Sequence, residues 1–253
     1  MTRGAATAWT RTLLLAGAVA LLEIACRTGL VDPMVVLPPS QMVAAMLTVL
    51  ASGDATEPML RTFSTVGAAF VAAVVVGIGL GALVHAVPRL RRAIEPVLAS
   101  YYSVPTFVFY PLLVALLGLS MAPLVVLGVM SAAPAMMIGT LAGLDSVRPV
   151  LRRVAQVQRL GPVRTLLLVV LPAATPGLFG GVKLALSYAL IGVIAGEFIL
   201  SGSGLGFAIS FAYQSFDNHA MYGLMLFVLL VAVMANSLLY IWEGRLARRR
   251  SAG

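Results

Sequence analysis

The chain has 253 residues, of which 60% are hydrophobic and only 10% charged, and its mean hydropathy is +1.02. Soluble domains are about 25% charged, so this composition excludes a water-soluble domain and indicates that lipid is the solvent. The formal charge of +8 comes from arginines beside apolar segments, which favours a membrane-topology signal over nucleic-acid binding. The single cysteine excludes an intrachain disulfide, and two widely separated histidines leave no metal-ligand cluster in the sequence.

Six segments are predicted to cross the membrane, because a spanning helix needs about 20 mostly apolar residues. In chain order they cover residues 10–30, 63–87, 94–117, 124–144, 179–200 and 221–242. The first begins like a signal peptide, but Glu23 lies where a lipoprotein cleavage site requires an apolar residue, so we interpret it as an uncleaved span. The sequence thus predicts an all-α polytopic membrane helix bundle of about six transmembrane helices in a single domain, residues 1–253.

Several local features refine this prediction. Residues 40–50 have apolar positions at helical spacing and are expected to form a helix along the outer surface. Gly77, Gly79 and Gly81 allow neighbouring helices to approach closely. Prolines inside the third span are expected to kink it. The glycine-rich residues 201–206 are interpreted as a flexible link or a helix break.

The distribution of basic residues predicts the orientation. With the amino terminus inside, fourteen of the 17 basic residues lie in cytosolic segments, and only Arg27 and Arg61 lie outside. Because cytosolic loops carry an excess of lysine and arginine, we expect both termini, and the loop at residues 145–172, to be cytoplasmic.

That loop is patterned as helix, turn and helix. Pro149 suits the first turn of a helix, and residues 150–160 place an apolar stripe opposite arginine and glutamine. Gly161-Pro162 is expected to break this helix, and residues 163–170 to form a second one that ends at Leu171-Pro172. An apolar ridge flanked by cations suits docking into the groove of a partner. A basic loop that only sets topology is the alternative.

A set of short motifs in a fixed order resembles a known family, the permease subunits of bacterial ABC importers, in the branch that takes up nitrate, sulfonates, taurine and related compounds. The resemblance covers residues 37–242. The motifs that carry it are Leu37-Pro38-Pro39-Ser40, Ile94-Glu95-Pro96, Ser103-Val104-Pro105, Pro111-Leu112-Leu113, Leu171-Pro172-Ala173-Ala174-Thr175-Pro176, Gly196-Glu197-Phe198 and Ser203-Gly204-Leu205-Gly206. Their order and spacing imply the type I ABC importer permease fold.

The family signature of the cytoplasmic loop is only partly kept. Counting back from Leu171-Pro172, the signature glycine falls on Arg159, and of the three Glu-Ala-Ala positions only Ala155 agrees. Gly161 supplies the turn instead if the loop is shortened by two residues. This departure also suggests pairing with a different permease rather than with a second copy. The resemblance implies that the residues coupling this loop to an ATPase are Val150, Leu151, Arg152, Arg153, Val154, Ala155, Arg159 and Gly161.

The resemblance implies a machine of several chains in the bacterial inner membrane. Two permeases, either two copies or this chain with a paralogue, form an alternating-access pathway above two ABC ATPase subunits. A periplasmic or lipid-anchored solute-binding protein delivers the solute. The sequence has no Gly-x-x-x-x-Gly-Lys-Ser/Thr phosphate loop and no nucleophile–base constellation, so we expect no catalytic residue, no cofactor and no metal here, and ATP on the partner.

Residues of the translocation pathway are predicted from aromatic and hydroxyl groups beside kinking prolines. The candidates are Tyr101, Tyr102, Ser103, Pro105, Phe107, Ser187, Tyr188 and Glu197. Ordinary interhelical packing is the alternative for each. A carboxylate at membrane depth usually has a purpose, but Glu197 falls near the outer end of its span. There we expect solvation and favour a structural or gating role over solute binding.

Two other functional classes remain open at this point. A secondary transporter or channel would need a coupling-ion site, and inverted repeats would support it; neither is visible in the sequence. An assembly or scaffold protein of the membrane is the third reading. The sequence does not identify the solute, and nitrate, sulfonates, taurine, and vitamin or pyrimidine precursors all fit the family branch.

Overall fold

The structure is a computed structural model that describes residues 3–32 and 35–251, with side chains for residues 9–10, 12–32, 35–199 and 201–244. Eleven α-helices are assigned in this part of the chain. They are α1 Arg3–Arg27, α2 Pro39–Ser52, α3 Thr56–Ala86, α4 Pro88–Tyr101, α5 Tyr110–Leu117, α6 Ala122–Asp145, α7 Pro149–Val157, α8 Pro162–Thr165, α9 Leu171–Leu200, α10 Leu205–Gln214 and α11 Asn218–Ser251. A 3₁₀ segment, Thr106–Phe109, precedes α5, and a π-helical segment, Leu166–Val170, joins α8 to α9.

The predicted all-α membrane bundle is confirmed, but the count of six spans is not. Within the described residues, four helices are long and apolar enough to cross a bilayer: Thr56–Ala86, Ala122–Asp145, Pro162–Ile199 and Asn218–Gly244. A bent pair, α4 with the segment Thr106–Leu117, makes up to five if it is one span. The predicted first span is helical as α1 but is not among these segments.

The third predicted span, residues 94–117, is wrong as a continuous helix. Its two halves meet at an angle of 95°, and residues 102–105 between them are not helical. Pro105 lacks an N–H and disfavours helical geometry at the residue before it, Val104. Pro111 causes no break, since it lies at the start of α5, where no hydrogen bond is lost.

The fifth span begins earlier than predicted. Leu171-Pro172 does not end the second helix of the loop, because Pro162–Ile199 is one continuous apolar segment. Pro172 cannot donate to a carbonyl one turn back, and the chain widens into π geometry just before it. Leu171 N–H donates to the Leu166 carbonyl, five residues back. The wider turn lets the helix pass the proline.

The core lies where α6 is packed between α3 and α9. Gly77 and Gly81 of α3 face α6, where an added Cβ would meet Met136 and Thr140 at 2.5 and 2.7 Å. Gly79 has no neighbour on its open side. The predicted close approach therefore holds for the two glycines four residues apart, which share one helix face.

The approach of α6 to α9 is closer still. An added Cβ at Gly139 would lie 2.3 Å from the Gly181 Cα, and one at Gly177 would lie 2.4 Å from the Gly143 Cα. Backbone meets backbone at both points, so no side chain fits between the two helices. These four glycines were not predicted from the sequence to form a helix contact.

The helix predicted at residues 40–50 is confirmed as α2, which packs on α11, and its place along the outer surface stays a prediction. The bundle has two ends. The α10 end carries the first residues of α3 and the last residues of α9. The α7 end carries the last residues of α3 and α6, about 45 Å away along the 31 residues of α3 at 1.5 Å per residue.

Candidate functional site

The first part of the candidate site is α7, which projects from the bundle at the α7 end. Pro149 lies in its first turn, as predicted. Val150, Val154 and Val157 recur at intervals of four and three residues and are 63, 46 and 83% exposed. On the opposite side, Ala155 is buried. We call Val150, Val154 and Val157 the α7 ridge. It is an apolar surface that the described part of the chain leaves uncovered.

The turn after α7 is built on Arg159. Its φ is +51°, in the left-handed region that favours glycine. Arg159 N–H donates to the Gln156 carbonyl and Leu160 N–H to the Ala155 carbonyl, each at 3.0 Å, which is the Schellman pattern of a helix end. Gly161 has φ −64° and precedes α8. The loop therefore forms its turn at Arg159 without being shortened by two residues, and the suggestion that Gly161 supplies the turn is wrong.

Polar contacts join the base of α7 to the membrane helices. Arg152 Nη2 lies 3.4 Å from His85 Nε2, and His85 Nδ1 lies 3.2 Å from Asp145 Oδ1. Arg91 donates to both oxygens of Asp145, at 2.8 and 2.7 Å. Leu151 and Arg153 are exposed. Arg152 and Arg153, both predicted as coupling residues, therefore differ in their contacts, since Arg152 reaches His85 within its own chain.

Three predicted pathway tyrosines cluster at the bend after α4. Tyr102 stacks on Tyr188 of α9, with ring centroids 4.6 Å apart, and Tyr101 meets Tyr102 edge to face. Tyr101 Oη donates to the Met130 carbonyl at 2.9 Å, and Tyr102 Oη to the Ser131 carbonyl at 3.4 Å. The cluster ties the bent pair to α6 and α9.

The other candidates divide between the bend and a groove. Ser103 and Pro105 are exposed in the break itself. Phe107 and Ser187 line a groove of about 1300 Å³ between α9, α10 and α11. Ser187 Oγ donates to Asn236 Oδ1 of α11 at 3.1 Å, a polar pair in a mostly apolar groove. Asn236 was missed because its only sequence signal is an amide within an apolar span.

Glu197 is fully buried, so the expectation that it would be solvated is wrong. Thr62 Oγ1 of α3 lies 2.9 and 2.8 Å from its two carboxylate oxygens, and Gly206 N–H donates to Oε2 at 2.9 Å. Leu205 N–H in turn donates to Thr62 Oγ1 at 2.8 Å. The prediction of solvation failed because one partner of Glu197, Thr62, lies 135 residues away in the chain, and the other is a backbone amide of the following helix.

This arrangement caps the amino terminus of α10. The first amides of a helix have no partner within it, and here those of Leu205 and Gly206 bond side chains of α3 and α9. Gly204 has φ +100°, and a Cβ there would lie 2.3 Å from the Glu197 carboxylate carbon. Residues 201–206 thus form an ordered turn around the Glu197 carboxylate. They break the helix, as one of the two interpretations predicted, and the interpretation as a flexible link is wrong.

The structure brings some candidates together and separates others. Tyr101, Tyr102 and Tyr188 form one cluster, and Phe107 and Ser187 share one groove, whereas Glu197 lies at the α10 end and is absent from the groove lining. Lys183, one turn before Ser187, pairs with Glu243 of α11. Among the described residues, no group of three or more His, Cys, Asp or Glu side chains is placed to hold a metal ion.

A family model described as the binding-protein-dependent transport system inner membrane component matches residues 73–252. This chain belongs to that family. The sequence prediction of an ABC importer permease is thereby confirmed.

Individual relatives place the permease more finely. It is 28% identical over 188 residues to the taurine transport system permease protein TauC of Escherichia coli (strain K12), covering 72% of this chain and 68% of TauC. It is 28% identical to the nitrate import permease protein NrtB of Leptolyngbya laminosa, covering 68% of this chain and 62% of NrtB. It is 26% identical to the putative aliphatic sulfonates transport permease protein SsuC of Bacillus subtilis (strain 168), covering 96% of this chain and 89% of SsuC.

A solved structure shows the same fold. A chain of the MetNI methionine ABC transporter, in an inward-facing conformation, matches with a TM-score of 0.60 at 18% identity, covering 75% of the permease and 93% of that chain. At this identity the likeness concerns the fold alone.

Proposed function

We propose that this permease forms one half of an alternating-access pathway for a small polar solute, and that ABC ATPase subunits drive it by binding the α7 ridge. The observation that carries the proposal is the ridge itself. Three valines on one helix face stay exposed along the short helix α7, which lies outside the apolar spans. Exposed apolar groups in one row are costly in water unless a partner covers them.

The orientation follows from the charges near the ridge. Arg148, Arg152, Arg153, Arg159 and Arg164 lie in or beside α7 and α8. The rule that basic loops stay inside places the α7 end in the cytosol, where ATP is available. Both termini are then cytoplasmic, and the α10 end faces a periplasmic or lipid-anchored solute-binding protein.

The other half of the pathway is a second copy of the permease or a paralogue. Arg159 keeps the left-handed turn of the family's loop without its glycine, so the departure in sequence leaves the shape of the loop intact. That shape supports a working coupling loop. The relatives carry taurine, nitrate and sulfonates by name. We therefore propose a solute of that class, or a vitamin precursor, without a cofactor or metal in the permease.

The test asks whether an ABC ATPase binds the permease through the α7 ridge. The permease is expressed with a candidate ABC ATPase from the same genome, purified through a tag on the permease, and assayed for bound ATPase and ATP hydrolysis. Wild-type protein should retain the ATPase, and Val157→Asp should lose it, because a charge at an 83% exposed ridge position would be buried unpaired at the interface. Val163→Asp, at a 66% exposed valine outside the ridge, is the matched control.

Arg153→Glu provides the complementary experiment. It reverses a charge beside the ridge without touching the Arg152–His85 contact. We expect ATP hydrolysis to become uncoupled from uptake while the protein still inserts. Retention of the ATPase by both Val157→Asp and Arg153→Glu, with intact uptake, would show that the partner binds elsewhere. Labelling of Val157→Cys from the external face would refute the orientation.

A further inference from the structure

Four side chains from four different helices meet at the α7 end. They are His85 of α3, Arg91 of α4, Asp145 of α6 and Arg152 of α7, and we call them the clasp. Arg91 and Asp145 form its fixed half, with two parallel hydrogen bonds of 2.8 and 2.7 Å. A bidentate pair of this kind fixes orientation as well as distance.

His85 forms the connecting half of the clasp. An arginine can only donate, so Nε2 of His85 accepts from Arg152 and the ring proton lies on Nδ1, which faces Asp145. The Nδ1 atom is buried, and its 3.2 Å contact with Asp145 is too bent to be a good hydrogen bond. One imidazole thus spans the gap between α7 and the carboxylate that closes α6.

Stability alone is a weak reason for such a cluster. Exposed ion pairs contribute little to stability, and Asp145 is 39% exposed at its side chain. The position of the cluster is more informative. α7 packs mainly on the π-helical segment Leu166–Val170, whereas Arg152 reaches His85 directly across 67 residues of sequence. The clasp therefore links α7 to a helix on which it barely packs.

The clasp is also well placed to pass on a displacement. Its two long helices, α3 and α6, are locked together about one turn away, where Gly81 lies against Thr140 without space for a side chain. A pull on His85 or Asp145 therefore moves α3 and α6 as one body, since close-packed interiors shift between discrete arrangements rather than deform.

We propose that His85 is a positioning residue that passes the movement of α7 to α3 and α6, with one ring nitrogen accepting from Arg152 and the other lying against Asp145. The inference rests on the proposed function, because it assumes that an ATPase moves α7. It assigns a role to His85 and Asp145, which lie outside the loop signature.

The test measures the distance between α7 and α3 in the complex with its ATPase, held in lipid nanodiscs. Spin labels are placed at Gln156→Cys, an exposed position of α7 outside the ridge, and at the exposed position Leu83→Cys, after the buried Cys26 is changed to Ala. Double electron–electron resonance is recorded without nucleotide and with Mg·ATP and vanadate. With the clasp intact, ATP should leave the 83–156 distance unchanged, because the two helices move together.

Variants separate transmission from simple stability. His85→Ala should make the distance shift and broaden on adding ATP, and ATP hydrolysis should continue. His85→Gln, which keeps a donor and an acceptor, should restore the wild-type distance. Arg152→Gln alters only an exposed side chain and should behave as His85→Ala does. His219→Ala, at an exposed histidine near the α10 end, should match wild type.

The outcomes distinguish the two proposals. If the wild-type complex binds and hydrolyses ATP, yet His85→Ala and Arg152→Gln both keep the wild-type distance in both states, the clasp transmits nothing and the inference is overturned. If the ATPase does not bind wild-type permease at all, the proposed function fails, and the role of His85 falls with it.

Discussion

Thr62 and Glu197 are joined by a buried hydrogen bond although 135 residues separate them in the chain. The Thr62 hydroxyl donates to the carboxylate and accepts from the amide of Leu205. A threonine on α3 and a glutamate on α9 therefore complete the first turn of α10. A buried carboxylate is tolerated only when such donors surround it.

Glu197→Ala should destabilise the permease strongly. It leaves the Thr62 hydroxyl and the Gly206 amide buried without an acceptor, and each unsatisfied group costs about 1–3 kcal/mol. The measurement is thermal unfolding of the purified protein in detergent. Glu57→Ala, at an exposed glutamate of α3, is the control and should have the unfolding midpoint of the wild type. Equal midpoints for both variants would contradict the buried role.

Gly204→Ala should also destabilise, for two separable reasons. The backbone at φ +100° and ψ 174° is a conformation that essentially only glycine adopts and costs another residue about 1–3 kcal/mol, and the new Cβ would strike the Glu197 carboxylate at 2.3 Å. Gly202→Ala is the control, since nothing lies within 4 Å of its open side. Combining Gly204→Ala with Glu197→Ala should remove the collision and leave the backbone cost, so the double variant should lose less than the sum of the two single changes.

Arg159→Gly should stabilise the loop, in contrast to a glycine placed within α7. Glycine relieves the left-handed strain at φ +51° and should raise stability by roughly 0.5–1 kcal/mol. Arg153→Gly, in the middle of α7, should lower stability by about 1 kcal/mol. Hydrogen exchange of the α7 amides measures both effects. Slower exchange in Arg153→Gly than in Arg159→Gly would contradict the turn geometry.

Neighbouring glycines of α9 should respond in opposite ways to alanine. Gly177→Ala places a methyl group 2.4 Å from the Gly143 Cα, so α6 and α9 must separate. Gly180→Ala meets nothing within 4 Å and should be neutral or slightly stabilising, because alanine favours helix. Thermal unfolding in detergent compares the two. A loss of stability at position 180 but not at 177 would place the helix contact on the wrong face.

The parts of the fold that the sequence predicted are those set by local chemistry. Pro149 and the spacing of the valines in residues 150–157 were enough to predict α7 and its ridge. Prolines correctly predicted a kink in the third span, but the 95° angle of the bend near Pro105 depends on how the tyrosines dock on α6 and α9, which sequence spacing does not contain. The site was predicted only in part for the same reason. Glu197 was identified as unusual, yet its burial depends on Thr62 and Gly206, and the clasp joins His85 to Asp145 across 60 positions.

The first amides of α10 are capped by side chains of α3 and α9, and this affects the order in which the bundle assembles. Gly204 offers no side chain of its own, so the leading amides of this helix find acceptors only after the third and ninth helices stand side by side. During synthesis, the stretch beyond Leu200 emerges before that meeting is complete and has to wait for it. We expect this stretch to be the last of the bundle to become resistant to protease as the nascent chain enters the bilayer.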